Sequence, residues 1–135
     1  MKLYIVRHGE TEENRAGIMQ GQLPGTLTEL GKRQAALLAE RLRDVKFDAI
    51  YASDLQRARD TANIIAEYHN VPVQFTKALR EKHHGNFQGT RKDDPIRKRP
   101  QEGHESRQSM EERATRIIQR ARVEHPKGQV LFVAH

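Results

Sequence analysis

The strongest constraint on this chain is an alternation of two kinds of segment. Short apolar runs stand at residues 2–6 ("KLYIV"), 47–51 ("FDAIY"), 73–76 ("VQFT") and 130–134 ("VLFVA"). Between them, apolar residues recur at helical spacing. The first such stretch, residues 29–43, lines up Leu30, Leu37, Leu38 and Leu42 behind Thr28 as N-cap. The second runs from Ser53 to Tyr68 and puts Leu55, Ala58, Ala62, Ile65 and Ala66 on one face. Its opening Ser53-Asp54-Leu55-Gln56 has capping-box spacing. The third starts at Ser106 or Ser109, uses Met110, Ala114, Ile117, Ile118 and Ala121, and reaches Glu124 before Pro126-Lys127-Gly128 stops it.

Residues 9–27 hold the turn pair Pro24-Gly25, and residues 80–104 hold Gly85, Gly89, Pro95, Pro100 and Gly103. Neither keeps a clean period, so both read as loops, the second with room for one helical turn. Strand and helix in alternation build a parallel or mostly parallel sheet with helices packed on its faces. The prediction is an α/β fold, a three-layer α/β/α sandwich, in a single domain covering residues 1–135.

Composition narrows the setting. There is no cysteine, hence no disulfide framework and no thiolate chemistry. No apolar run approaches the ~20 residues that span a bilayer, and charge follows "KLYIV" at once where a signal core would continue. A cytoplasmic protein with no membrane partner is expected. Residues 1–79 carry 11 Lys+Arg against 10 Asp+Glu, whereas residues 80–135 carry 13 against 8. That excess suits an anionic partner. The basic residues of "TRKDDPIRKRPQ" have no interleaved aromatics to stack bases, which argues against nucleic acid.

In parallel sheets, ligands gather at the carboxyl ends of the strands. Arg7-His8 stand there after the first strand, Ser53-Asp54 and Arg57 after the second, and His135 after the last. Two guanidiniums and two imidazoles on one edge would cradle an anion, because the planar guanidinium fork matches phosphate oxygens. Arg57 is expected in the first turn of its helix, where free N–H groups also favour an anion. Gly9, lacking a side chain, would let a phosphate approach the backbone. A neutral imidazole beside such a cradle can attack phosphorus without an activating base. Phosphoryl transfer needs mainly positioning and charge neutralisation, and the leaving alkoxide needs a proton from a nearby carboxylic acid.

The stretches "VRHGETEEN", "LTELG", "YASDLQRARDTA", "LREKHHGNFQG", "GHES" and "VLFVAH" resemble, in this order, the motifs of the histidine phosphatase superfamily, in its phosphoglycerate mutase-like branch. The resemblance covers nearly the whole chain. It implies that His8 is the nucleophile and that Arg7, Arg57 and His135 hold the phosphoryl group, His135 also stabilising the transition state. It implies Glu81 as the proton donor, an assignment that spacing alone does not yield. Asn14, and the backbone near Gln20 and Gly21, are implied as further phosphate contacts. No metal and no cofactor are implied.

Other polar residues carry plainer expectations. Arg59 is read as a surface residue, and Glu10, Glu12 and Glu13 as a solvated loop face. His83-His84 are read as loop or pocket-lining residues rather than metal ligands, because neighbours in extended chain point opposite ways. Ser106 is read as a helix cap.

The chain departs from that family's pattern in two places. Only 13 residues separate Gly89 from Gly103, where relatives usually carry a longer covering insertion, so an open and weakly selective pocket is expected. "RKDDPIRKRP" does not match the mutase insertion that holds a substrate carboxylate, which favours a phosphatase. His84 and Gln88 stand where an aromatic and a glutamate are more usual. The chain ends at His135, where relatives continue with glycine, a helix and commonly another strand, so the fold is expected to be C-terminally short. A terminal carboxylate on His135 would repel phosphate, and an uncovered sheet face would leave a homodimer open.

The expected activity is that of a phosphomonoesterase acting on a small phosphorylated metabolite. A phosphoglycerate mutase, a protein phosphatase, a non-catalytic phosphate-binding module and a nucleic-acid binder remain as alternatives.

Overall fold

The computed structural model describes residues 1–135. The strands are β1 (Lys2–Arg7), β2 (Ala49–Ser53), β3 (Val73–Thr76) and β4 (Gln129–Ala134). The helices are α1 (Glu12–Ala16), α2 (Glu29–Leu42), α3 (Gln56–Ala66) and α4 (Arg107–Glu124). The strands form one sheet in the order β1-β4-β2-β3, and every pair is parallel. β4, last in sequence, therefore lies between β1 and β2. This brings Arg7, Ser53 and Ala134 to one edge of the sheet.

Two apolar layers flank the sheet. On one side Ala39 and Leu42 of α2 and Ala58, Ala62 and Ile65 of α3 pack on Ile50, Ala52, Leu131 and Val133. On the other, Ile117 and Ala121 of α4 pack on Ala49, Tyr51, Val130 and Phe132. The architecture is thus the expected three-layer α/β/α sandwich. β2 is buried at all five positions, as a central strand covered on both faces must be. Ile5 of edge strand β1 is 66% exposed, on the face that α4 covers over β2 and β4.

Four local expectations need correction. The second strand lies at 49–53 instead of 47–51. Phe47 precedes it and packs edge-on against Tyr4, with ring centroids 5.3 Å apart. Ser53 consequently ends a strand and caps nothing: α3 starts after Leu55 with no side-chain cap. On α2 the buried face is Gly31, Ala35, Ala39 and Leu42, while Leu30 and Leu37 face solvent. Small residues let α2 approach α3 closely, and that closeness decided which stripe went inside. Within 9–27 a five-residue helix, α1, forms behind Thr11, whose side chain and that of Asn14 close a capping box.

Other boundaries follow their local chemistry. The Thr28 side chain accepts from Gly31 N at the start of α2, and the Ser106 side chain accepts from Ser109 N at the start of α4. Residues 80–104 form no long element. They contain two short 3₁₀ turns, at 85–87 and 95–98. Their middle folds back on the 18–22 loop: Gly89 N donates to Met19 O at 2.8 Å and Met19 N donates to Thr90 O at 2.9 Å.

Candidate active site

The parallel sheet brings the two histidines together. His8 N donates to Ala134 O at 3.0 Å, and the His8 and His135 rings stand 5.1 Å apart, tilted by 56°. His8 Nδ1 lies 2.7 Å from the carbonyl oxygen of Gly9. A carbonyl only accepts, so Nδ1 carries the proton and the lone pair is on Nε2. Burial depresses the His8 pKa to about 4, with the nearby Arg57 and Arg7 charges adding to the effect. The ring is therefore neutral at pH 7.

His135 Nε2 lies 2.9 Å from Ser53 Oγ, and that oxygen accepts from Leu55 N. Burial, then the Arg57 charge, depresses its pKa to about 3. Its Nδ1 is buried without a partner. Ser53, a supposed helix cap, is thus the residue that holds His135.

Around His8 lies a cavity of about 290 Å³ lined by Arg7, His8, Glu10, Asn14 and Gln34. The exposed Arg7 side chain makes no hydrogen bond or ion pair within the chain, so all its donors are free. Asn14 Oδ1 accepts from Thr11 N and Gln20 Oε1 accepts from Thr11 Oγ1, which ties both amides to one threonine. The NH₂ group of each donates to nothing in the chain, and neither does the Gly21 N–H. Gly21 has φ +53°, and a side chain there would strike Gln88.

Arg57 is buried and otherwise occupied. Its Nη2 donates to Gly21 O at 2.7 Å, and its Nη1 donates to Leu23 O and Pro24 O. Nε is buried without a partner. Burial lowers its pKa to about 10, so it stays charged. The sequence reading of Arg57 as a free two-pronged anion ligand is met only in part, since the guanidinium spends three of its five donors on the 21–24 loop and keeps Nε–H and one Nη2–H. The helix start beneath it is also stoppered, because Arg57 N donates to Pro24 O at 3.1 Å.

Two further expectations fail for steric and polar reasons. Gly9 is small because the backbone carbonyl of Gly31 occupies the place where its Cβ would stand, rather than to admit a phosphate. Glu10 and Glu13 are no simple solvated face: Glu10 accepts from Thr28 Oγ1 at 2.9 Å, and Glu13 accepts from Thr26 N at 3.1 Å. Arg59 stacks over the Phe75 ring at 4.0 Å.

Glu81 enters from the segment after β3. Its Oε1 accepts from Lys82 N at 2.7 Å, while Oε2 accepts from nothing. Its negative charge is near enough to raise the proton affinity of both His8 and Arg57. Asp54 is engaged elsewhere, accepting from Arg80 by two bonds of 2.6 and 2.7 Å. Gln88 Oε1 knots the pocket wall by accepting from Gln22 N at 2.8 Å and from His84 N at 3.1 Å. Much of the basic excess is neutralised locally, with Arg91, Arg107, Arg113 and Arg120 each paired to a carboxylate. No helix is long and apolar enough to cross a membrane.

Comparison with known proteins agrees with this geometry. The chain is 43% identical over 88 residues to an adenosylcobalamin/α-ribazole phosphatase of Salmonella typhimurium, a match covering 65% of this chain and 44% of that protein. It is 34% identical over 151 aligned positions to a metal-independent phosphoserine phosphatase of Arabidopsis thaliana, covering 99% of this chain and 63% of that one. The chain thus spans roughly half the length of these curated relatives. Among solved structures, mycobacterial glucosyl-3-phosphoglycerate phosphatase Rv2419c with VO3 superposes with a TM-score of 0.90 at 33% identity, covering 98% of this chain and 75% of that chain. A family model matches residues 3–135 from first strand to last. With its paired histidines at adjacent strand ends and that match, the chain belongs to the histidine phosphatase superfamily, branch 1.

Proposed function

We propose that this protein is a metal-independent phosphomonoesterase that transfers the phosphoryl group of a small phosphorylated metabolite to His8 and then to water. The observation that carries this reading is the state of His8: neutral, fixed through Nδ1, with the Nε2 lone pair beside a cavity whose donors are uncommitted.

Arg7, Asn14 Nδ2, Gln20 Nε2, the Gly21 N–H and Arg57 Nε hold the phosphate oxygens in this reading. All are donors without a protein acceptor. His135 adds its Nδ1–H when Ser53 donates to Nε2, and it steadies the charge that builds on the equatorial oxygens. His8 Nε2 attacks phosphorus, the ester P–O bond breaks, and Glu81, in its protonated form for this step, gives its proton to the leaving oxygen. Water then attacks phosphorus, the N–P bond breaks with its electron pair returning to His8 Nε2, Glu81 takes a proton from the water, and inorganic phosphate leaves. The named phosphatase relatives support hydrolysis over isomerisation. The absence of cysteine fits a cytoplasmic setting.

The test is incubation with an aryl phosphate, an alkaline quench that preserves phosphohistidine, and peptide mapping. A phosphoryl adduct on His8 with release of inorganic phosphate is expected. Release of an isomeric ester would make the protein a mutase. Phosphate binding with no adduct and no turnover would make it a binding module.

A further inference from the structure

We infer that Arg113, held by Glu105, is a positioning residue for the proton donor, and that it acts on the reaction through Glu81. The inference rests on the role proposed for Glu81. Glu81 lies in an irregular stretch, after the 3₁₀ turn at Lys77–Leu79 and outside any strand ladder. Something other than secondary structure must hold it still.

Arg113 reaches across from α4 to do this. Its Nη1 donates to Ala78 O and Arg80 O, and its Nη2 donates to Glu81 O at 3.1 Å. Its remaining two donors go to Glu105: Nε to Oε1 at 2.7 Å and Nη2 to Oε2 at 3.0 Å. A guanidinium has five N–H bonds, and here all five are spent within the chain. Arg113 is therefore no phosphate ligand, although its charge is felt at His135.

Glu105 closes the clamp. Its N–H donates to His83 O at 2.8 Å, and Oε2 accepts from His83 N at 3.3 Å. Arg113 holds its carboxyl near pKa 2. Backbone groups of residues 78, 80, 81 and 83 are thus fixed by one ion pair. On the opposite flank Gln22 Nε2 also donates to Glu81 O, at 3.2 Å.

The pair is largely buried, with side chains 12% and 11% exposed. Buried ion pairs are poor stabilisers, and apolar residues of similar volume often do as well. Apolar residues cannot fix four backbone sites in space, which is what a proton donor in irregular chain requires. Lysine, with three donors and no planar fork, cannot replace the arginine.

The experiment measures phosphorylation of His8 in a single turnover on two esters. One is 4-nitrophenyl phosphate, whose leaving group needs no proton, and the other is a simple alkyl phosphate, whose leaving group does. Glu81→Gln is the reference and is expected to slow the alkyl ester far more than the aryl ester. Arg113→Lys and Arg113→Gln are expected to repeat that selectivity. The alkyl ester should slow by roughly tenfold to a hundredfold, within the usual range of general acid catalysis, and the aryl ester by less than about threefold. The double variant Glu81→Gln/Arg113→Lys should be no slower on the alkyl ester than Glu81→Gln alone.

Equal slowing of both esters by the Arg113 variants, with Glu81→Gln still selective, overturns the positioning role alone. So does a multiplicative loss in the double variant. Loss of selectivity in Glu81→Gln itself overturns the proton-donor reading and the inference with it. Should the Arg113 variants fail to fold, Glu105→Gln decides: it keeps the three carbonyl contacts but loosens the guanidinium, so a smaller loss confined to the alkyl ester is expected, and an unselective loss overturns the proposal.

Discussion

His8 donates its Nδ1–H to the carbonyl of the very next residue, Gly9, at 2.7 Å. That short contact selects the tautomer and leaves Nε2 as the only nucleophilic atom of the ring. Replacing His8 by Gln removes that atom and keeps the surrounding donors. Phosphohistidine should vanish and turnover should fall by at least ~10³-fold, as when a nucleophile is removed. Titration with inorganic phosphate should still show binding within about tenfold of the parent.

Both histidines are held neutral by burial, near pKa 4 for His8 and near 3 for His135, against 6.5 when exposed. Below pH 6.5 the unfolded chain takes up protons that the folded chain refuses. Stability is therefore complete above pH 6.5 and is lost as the pH falls toward 4 and then 3. Each tenfold difference in proton affinity is worth about 1.4 kcal/mol. His69 and His84 are depressed too and act with the same sign. Urea midpoints between pH 5.5 and 6.5 report this loss where Glu105, normally at 4.5, is still almost wholly ionised. His135→Asn should flatten the decline, and an unchanged slope would refute the assignment.

Gly9 and Gly31 meet backbone to backbone: a side chain on Gly9 would strike the carbonyl of Gly31, and one on Gly31 would strike that of Glu10. In an open helix Gly→Ala gains up to about 1 kcal/mol. At Gly31 the sign should reverse, with a loss of about 1–3 kcal/mol from overpacking. Denaturant unfolding of Gly31→Ala reads this directly. Activity should fall with it, because Gly9 carries the carbonyl that orients His8.

Ser53→Ala removes the partner of His135 Nε2 and leaves that nitrogen buried alone. The expected cost is about 1–3 kcal/mol for an unmet buried polar group. The His135 ring then loses its preferred tautomer. Nitrogen NMR of the imidazole should change from one tautomer to a mixture, and turnover should drop while the His8 signals stay put.

Much of the candidate site is legible in the sequence. Arg7-His8 and His135 each follow an apolar run, and parallel pairing of β1 with β4 places such residues side by side. Ser106 as a cap and the inward face of α3 were equally readable, because caps and periodicity are local signals. Ser53 misled because Ser-x-x-Gln spacing is shared by capping boxes and by a strand that ends before an uncapped helix. The leucines of α2 misled because hydrophobicity alone ranks Leu above Ala, whereas close packing on α3 ranks them the other way.

By itself, then, the sequence determined the alternation of strand and helix, hence the parallel sheet, hence which residues stand at its carboxyl edge. Those follow from period and order along the chain. Only the tertiary structure decided that Arg57 spends most of its donors on the 21–24 loop, that Gly9 is small to meet Gly31, and that Arg113 and Glu105 hold Glu81. Each of these depends on backbone carbonyls delivered from distant segments. A carbonyl looks the same at every position of a sequence, so where it will point is known only once the chain has folded.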